Sequence, residues 1–127
     1  MPKTISSPGK SVPRYKYART ADRDLEGILQ YTAGRFGPLQ RRRYAELIDR
    51  AASMIAADPI RTGSRPRNDM APGVRSFHVE LATRRRGAAA HILYYVEGML
   101  DDGREGVIIL RVLHERMDPT RYLGEDC

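Results

Sequence analysis

Four side chains in the second half of the chain have the types that acid–base catalysis uses. His78 and Glu80 lie two residues apart, and His91 and Arg111 follow in later segments. Cleavage of RNA without a metal needs a base for the 2′-hydroxyl, an acid for the leaving oxygen and cations for the phosphorane charge. Glu80, a histidine and Arg111 together offer these three functions. The alternative is that the same polar residues only occupy a solvent-facing surface of a sheet.

A further histidine, His114, lies where the stretch ILRVLHERMD changes from apolar to charged. Up to Leu113 the stretch is typical of a buried strand, and the charges from His114 onward are typical of a strand leaving its sheet. His114 is therefore either an acid–base residue or a hydrogen-bonded residue that ends a core strand. None of the three histidines has a zinc-ligand spacing such as His-x-x-x-His, so we expect no metal site and no cofactor.

The composition is that of a soluble globular chain. Its 127 residues suit one domain with a two-layer core, and 41% of them are hydrophobic against 30% charged. No apolar run approaches the roughly 20 residues of a membrane span, and MPKTISSPGKSVPR lacks the apolar stretch of a secretory signal. We therefore expect a cytoplasmic protein. The single cysteine, Cys127, excludes an internal disulfide and a multi-cysteine metal site.

The net charge of +6, with a pI near 9.8, favours an acidic or polyanionic partner. Such partners include nucleic acid, the ribosome, an acidic protein segment and a large nucleic-acid enzyme. Seven arginines are concentrated in one loop and the hairpin after it: Arg61, Arg65, Arg67, Arg75, Arg84, Arg85 and Arg86. They suit phosphate contacts or a basic surface that attracts an acidic protein, so direct nucleic-acid binding stays open.

The elements that must position these residues begin after a segment without periodicity. Residues 1–14 are rich in Pro, Ser and Gly, so we expect a flexible arm there and one folded domain over residues 15–127. The alternating RYKYAR predicts a short strand. Thr20 is a candidate N-cap for a helix that Gly37 ends.

A second helix is predicted directly after the first. Pro38 suits its first turn, and Pro59 requires the helix to end before it. Apolar residues recur at three- and four-residue steps in both helices. Two helices joined this tightly form an antiparallel hairpin with a shared apolar face.

Three strand candidates follow a loop rich in Gly, Pro and Arg: Val74–Leu81, Ala89–Glu97 and Gly106–His114. The connecting TRRRG and LDDGREG contain turn residues. The order strand, helix, helix, strand, strand, strand predicts an α+β fold with two layers, in which the helical hairpin packs on one face of a mostly antiparallel sheet.

Alternation along the strands predicts which side chains face the helices. The apolar sets assigned to the helix side are Ile92, Tyr94 and Val96 in one strand and Ile108, Leu110 and Val112 in the next. His114 then also faces the helices. The polar residues expected to gather on the open face are His78, Glu80, His91, Tyr95 and Arg111. A single bulge would reverse these assignments.

Taken together, these pieces resemble the ParE toxins of bacterial type II toxin–antitoxin (plasmid stabilisation) modules, within the wider ParE/RelE superfamily. The matching stretches are ADRDLEGILQYTAGRFG, the Tyr44–Pro59 helix with DPIRTGSRPR, GVRSFHV, ILYYV and VIILRVLHERMDPTRYL. They run in order from about Tyr15 to Leu123, and RVLHERMD after a strand is the most specific of them. The N-terminal arm and the TRRRGAAA turn depart from the family's usual pattern.

The resemblance implies a toxin that is neutralised by a cognate ParD-like antitoxin, whose acidic C-terminal segment wraps the hairpin and the sheet. ParE members poison DNA gyrase, whereas RelE-type relatives cut mRNA in the ribosome. RVLHERMD resembles the gyrase-directed branch, so we expect a gyrase inhibitor with no catalytic residue. The alternative is a ribosome-dependent, metal-independent endoribonuclease that uses Glu80, His78, His91 and Arg111, and Tyr122 and His114 keep it open.

The same resemblance leads to two sets of expected contact residues. Contacts with the antitoxin are expected at Leu25, Leu29, Tyr44, Ile48, Tyr95 and Arg111. Contacts with the target are expected at Arg111, Glu115, Arg116, Met117, Asp118 and Tyr122.

Overall fold

A five-stranded mixed sheet carries a helical hairpin on one face. The computed structural model describes residues 14–123, and only the backbone of Leu123, so the predicted arm lies outside the described residues except for Arg14. The elements are β1 (Tyr15–Tyr17), α1 (Arg19–Phe36), α2 (Pro38–Ala57), β2 (Arg65–Pro66), β3 (Arg75–His78), β4 (His91–Met99), β5 (Glu105–His114) and α3 (Thr120–Leu123). The strands lie in the order β1-β5-β4-β3-β2. This confirms the predicted α+β architecture.

Most strand pairs are antiparallel, as expected, with one exception. β1 pairs with β5 in parallel, with Tyr15 opposite Val107 and Tyr17 opposite Ile109. A parallel pair needs a crossover connection, and here the helical hairpin and the next three strands supply it. β1 therefore forms one edge of the sheet, and the two-residue β2, in a segment predicted as loop, forms the other.

The helical hairpin forms where the sequence predicts it. Gly37 separates the two helices with φ of 92°, a backbone conformation that glycine adopts without steric cost. Pro38 occupies the first turn of α2, where its missing N–H needs no partner. α2 ends at Ala57, before Pro59 as predicted. Both helices pack against the sheet through a shared core.

The prediction that Thr20 caps α1 is wrong. The helix begins at Arg19, and its cap position, Ala18, makes no side-chain capping bond. The Thr20 hydroxyl instead donates to the carbonyl of Leu110 at 2.9 Å. Thr20 therefore fastens the first turn of α1 to β5.

The strand predicted over Val74–Leu81 is shorter than expected. β3 ends at His78, whose Nδ1 accepts a hydrogen bond from the Glu80 N–H at 3.1 Å. This bond turns the chain out of the sheet into one turn of 3₁₀ helix, Val79–Ala82. Glu80 therefore lies on a turn and not on a strand.

The predicted facing of β4 is wrong. Leu93 and Tyr95 belong to the core between sheet and helices, whereas Tyr94 lies on the other face. In β5 a bulge opposite the Tyr94–Tyr95 step leaves Leu110 without a paired residue in β4. It brings Ile109 and Val112 onto the helix side although they are three residues apart.

The face of the sheet away from the hairpin is not open. A second apolar cluster covers it around Val74, Tyr94 and Leu113. The partly buried residues packed against that cluster are Met70, Ala71, Ile92, Val96, Leu110, Met117 and Tyr122. Because both faces of β4 and β5 are apolar, alternation of hydrophobicity could not distinguish them.

Candidate functional site

A concavity lies between the helical hairpin and the ends of β4 and β5, and we call it the hairpin groove. Its volume is about 810 Å³. Its lining comes from both helices, the loop before β4 and the end of β5: Arg23, Asp24, Gly27, Ile28, Tyr31, Thr32, Phe36, Gln40, Tyr44, Gly87, Ala88, Ala89, Ala90, His91, Val112, Leu113, His114 and Met117.

Large apolar side chains at the groove are exposed to solvent. Tyr31 is 66% exposed and Phe36 is 64% exposed, although both are aromatic. Arg23 lies on the same wall of the groove. An apolar groove with a cation at its margin suits an amphipathic protein segment that carries acidic residues.

Two imidazoles lie in the groove. The rings of His91 and His114 meet edge to face with their centroids 5.4 Å apart. Burial, and then repulsion from His114, lower the pKa of His91 to about 4. His91 is therefore uncharged at neutral pH. The predicted orientation of His114 toward the helices is confirmed, and His91, which was expected on the open face, shares that side with it.

Tyr44 joins the second helix to this pair. Its hydroxyl accepts a hydrogen bond from the Ala90 N–H at 3.3 Å and lies 2.6 Å from His91 Nδ1. The tautomer of His91 sets which of the two groups donates in this contact. Burial raises the pKa of the Tyr44 hydroxyl, which keeps it protonated. The contact fixes the ring of His91 against α2.

The residues predicted for antitoxin contact divide into surface and core. Leu25, Leu29 and Tyr44 are partly exposed on the hairpin. Ile48 is 1% exposed and Tyr95 is 0% exposed, because both pack between the helices and the sheet. These two side chains offer no surface to a partner in this structure, and Tyr31 and Phe36 offer the surface instead.

Arg111 lies in β5, two residues beyond Ile109, which is the last β5 residue that pairs with β1. Its Nε and Nη2 both donate to the carboxylate of Asp24 in α1 at 2.9 Å. The same carboxylate accepts the Val112 N–H, also at 2.9 Å. The side chains of Asp24 and Arg111 are each 14% exposed. The prediction that Arg111 lies on an open face is therefore wrong.

The C-terminal segment, Glu115–Leu123, leaves the sheet directly after His114. Glu115, Arg116 and Asp118 are exposed. Met117 and Tyr122 pack in the second apolar cluster, and the Tyr122 ring lies 5.6 Å from the guanidinium of Arg111. The segment therefore presents charged side chains to solvent from an anchored backbone.

The candidate acid–base residues are divided between two places. His78 and Glu80 line a smaller cavity of about 510 Å³, which we call the sheet-side cavity, together with Arg65 and Arg67. His91 lies in the hairpin groove, on the other side of the sheet. The expected grouping of all four side chains on one face is therefore wrong.

His78 and Glu80 already have partners. His78 Nε2 lies 2.7 Å from Glu115 Oε1, and this hydrogen bond lowers the pKa of the Glu115 carboxyl. Glu80 Oε1 accepts the Gly87 N–H at 2.6 Å. Within residues 14–123, no three His, Cys, Asp or Glu side chains come close enough to hold a metal ion. None of the described helices combines the length and apolar character of a membrane span.

Sequence reasoning missed two features of this region. Asp24 gave no local signal, since one carboxylate in an exposed helical pattern is common. Tyr31 lies off the apolar stripe of α1, and an aromatic residue at such a position is a signal for a binding surface.

Comparison with known proteins matches nearly the whole folded region. A family described as the ParE toxin of the type II toxin–antitoxin system parDE matches residues 15–119. Toxin ParE1 of Caulobacter vibrioides is 29% identical over 110 residues, which cover 87% of this chain and 97% of that protein. Toxin ParE1 of Mycobacterium tuberculosis is 33% identical over 113 residues, with coverage of 87% and 97%. Toxin ParE of Escherichia coli is 31% identical over 114 residues, with coverage of 87% and 93%.

Proposed function

The chain belongs to the ParE toxin family of type II toxin–antitoxin systems, and we propose that it inhibits DNA gyrase without catalysis. We further propose that it acts in the cytoplasm as part of a plasmid-stabilisation type of module, and that a cognate ParD-like antitoxin neutralises it. The observation that carries the proposal of a protein partner is the hairpin groove with its exposed Tyr31 and Phe36.

The groove supports an amphipathic segment as its occupant. Two exposed aromatic side chains provide apolar contact area, and Ile28 extends it inward. Burial of such a surface contributes about 25 cal/mol per Å² of apolar area removed from water. Leu25, Leu29 and Tyr44 remain the proposed antitoxin contacts on the hairpin, because they are partly exposed.

The charge of the chain supports an acidic occupant. The net charge is +6, and the exposed residues Arg41, Arg42 and Arg43 lie on α2 near Gln40 of the groove. Such a surface accelerates association with an acidic segment, and the effect weakens as salt screens it. Apolar contacts in the groove then hold the complex.

The C-terminal segment supports a second contact surface, for the target. Glu115, Arg116 and Asp118 are exposed and not buried by the rest of the described chain. Met117 and Tyr122 pack in the second apolar cluster. In this proposal they do not contact the target themselves but hold the C-terminal segment in place. Arg111 was expected to touch both partners, but its side chain is only 14% exposed. It holds the segment through a hydrogen bond to the Tyr122 carbonyl.

The gyrase proposal is tested by adding the purified protein to a supercoiling assay. Inhibition or trapped cleaved DNA is expected, and prior addition of the antitoxin restores supercoiling. The variant Arg116→Glu reverses one exposed charge of the C-terminal segment, and we expect it to weaken inhibition about ten-fold with antitoxin affinity retained. Arg50→Glu is the control for net charge, since it reverses an exposed arginine on α2 that lies outside the groove lining and outside the C-terminal segment. Normal supercoiling at micromolar excess of the wild type would overturn the gyrase assignment.

The sheet-side cavity favours a second candidate function, a ribosome-dependent endoribonuclease. An imidazole, a carboxylate and two guanidinium groups line it, from His78, Glu80, Arg65 and Arg67. These groups could serve as acid, base and phosphate ligands. Cut mRNA in a translating extract, lost in His78→Gln with folding preserved, would favour this function over gyrase inhibition. Uncut mRNA would exclude it.

A further inference from the structure

One carboxylate in the wall of the hairpin groove controls the orientation of a guanidinium. Both oxygens of Asp24 accept hydrogen bonds from Arg111, through Nε and Nη2 at 2.9 Å, and Oδ2 also accepts the Val112 N–H. A guanidinium held by two parallel bonds has a fixed plane. Its remaining nitrogen is then directed to one place.

That remaining nitrogen reaches the C-terminal segment. Arg111 Nη1 donates to the carbonyl oxygen of Tyr122 at 3.1 Å, and the Arg111 Cζ lies 5.6 Å from the centre of the Tyr122 ring. A cation over an aromatic face at this distance is attracted to it. Arg111 therefore holds Tyr122 both through the backbone and through the ring.

The hydrogen bonds at the start of the segment are long-range, since the Glu115 N–H donates to the Ala90 carbonyl at 2.8 Å and His78 Nε2 lies 2.7 Å from Glu115 Oε1. Among the described residues from Met117 onward, the backbone N–H groups donate to near neighbours in the chain. Met117 N–H donates to the His114 carbonyl, Arg121 N–H to that of Asp118, and Tyr122 N–H to that of Pro119. These bonds between neighbours shape residues 117–123 but do not fix where those residues lie against the sheet. Packing of Met117 and Tyr122 in the second apolar cluster, together with Arg111, does so.

We infer that Asp24 is a positioning residue, which fixes the Arg111 guanidinium and through it the place of Tyr122 and of residues 117–123 of the C-terminal segment. The part of this inference that concerns target inhibition rests on the proposed function. Asp24 also lines the hairpin groove. A segment bound in the groove therefore contacts Asp24, the residue that positions the C-terminal segment. Asp24 thus connects the antitoxin surface with the target surface.

Asp24→Asn tests the inference, because it removes the charge and one acceptor with little change in volume. The matched control is Thr20→Val, which removes a different side-chain hydrogen bond between α1 and β5, the one from Thr20 to the Leu110 carbonyl, and leaves Arg111 and Tyr122 unchanged. Asp24→Glu keeps the charge and should retain part of the wild-type behaviour. Arg111→Lys serves as a second route, since lysine keeps a cation for Asp24 but lacks the fork that also reaches Tyr122.

The first measurement is native-state amide exchange of residues 117–123, followed by mass spectrometry well below the melting temperature. In Asp24→Asn and Arg111→Lys we expect exchange there to accelerate about ten-fold or more, with α2 unchanged. Thr20→Val should stay within about two-fold of wild type in this segment. Equal acceleration in Thr20→Val, or unchanged exchange in both Asp24→Asn and Arg111→Lys, would overturn the inference.

The second measurement is the concentration that inhibits gyrase by half. Asp24→Asn should raise it about ten-fold, Asp24→Glu by less, and Thr20→Val by no more than about two-fold. An equal loss of gyrase inhibition in Asp24→Asn and Thr20→Val would mean that Asp24 only attaches α1 to β5, and it would overturn the positioning role. If the wild type itself fails to inhibit gyrase, the proposed function fails, and amide exchange alone then decides the role of Asp24.

Discussion

Asp24 and Arg111 are 87 positions apart in the chain and form a bidentate ion pair with both N–O distances at 2.9 Å. The pair joins the first helix to the last strand beyond the point where β1 ends. Each side chain is 14% exposed, so solvent screens the pair far less than an exposed one. Loss of Arg111 leaves the mostly buried Asp24 carboxylate without this counterion.

Arg111→Met is expected to lower the free energy of unfolding by about 2–4 kcal/mol, because the Asp24 carboxylate loses its counterion in a mostly buried position. Urea unfolding at pH 7 measures the change. The double variant Asp24→Leu with Arg111→Met removes both charges and should recover at least half of the loss. A loss below about 0.5 kcal/mol, as for an exposed pair, would contradict the role of this contact.

Ile48→Ala should cost about 2–4 kcal/mol of stability, because the side chain is 1% exposed and its removal leaves a cavity between α2 and the sheet. Leu29→Ala, at a partly exposed position of α1, should cost less than about 1.5 kcal/mol. Thermal or urea unfolding of the two variants compares them directly. Equal losses would mean that Leu29 is also a core residue and would remove it from the proposed antitoxin surface.

Phe36→Ser and Tyr31→Ser are each expected to weaken antitoxin binding about ten- to hundred-fold, since aromatic anchors dominate the energetics of such interfaces. Stability should change little, because the side chains are 64% and 66% exposed. Isothermal titration calorimetry measures the affinity. Ile60→Ser is the matched control, as Ile60 is 68% exposed and lies outside the groove lining. A similar loss in that control would place the antitoxin elsewhere.

The stability of the protein is expected to fall as the pH falls from 7 to 5, in part because of His91. Its pKa is about 4 in the folded chain and 6.5 as the ordinary value, so the unfolded chain binds a proton first as the pH drops. The stabilisation is complete above about pH 6.5 and is lost between pH 6.5 and 4. With allowance for partial exposure, the contribution lost between pH 7 and 5 is about 1 kcal/mol.

Urea unfolding at the two pH values, compared between the wild type and His91→Gln, isolates this contribution. Glutamine does not titrate, and its side chain can still form a hydrogen bond with Tyr44. The variant should therefore lose about 1 kcal/mol less stability than the wild type between pH 7 and 5. Identical pH dependence in the two proteins would rule out His91 as the titrating group.

Local rules predicted the elements of this fold well. Gly37 and Pro38 mark the break between the helices in the sequence, and the helices end and begin at these residues in the structure. The break follows from backbone sterics at glycine and proline, which act within a few residues. The order of elements and the two-layer arrangement followed from periodicity in the same way.

The facing of the strands did not follow from the sequence. Tyr94 and Tyr95 are adjacent, both are aromatic and both are buried, yet they lie on opposite faces of the sheet. Alternation identifies a face only when one face is polar. Here the loop with Met70 and the C-terminal segment with Met117 cover the second face. The bulge in β5 then changed which residues share a face.

The sequence by itself determined approximately where the two hairpin helices and four of the five strands begin, and that the chain resembles the ParE toxins in an ordered set of stretches. Only the tertiary structure decided that Arg111 belongs to Asp24, that Tyr31 and Phe36 line a groove, and that His91 lies apart from His78. The physical reason is range. Periodicity and turn chemistry report interactions within about four residues, whereas these contacts depend on chain segments that meet only after the helices have packed on the sheet.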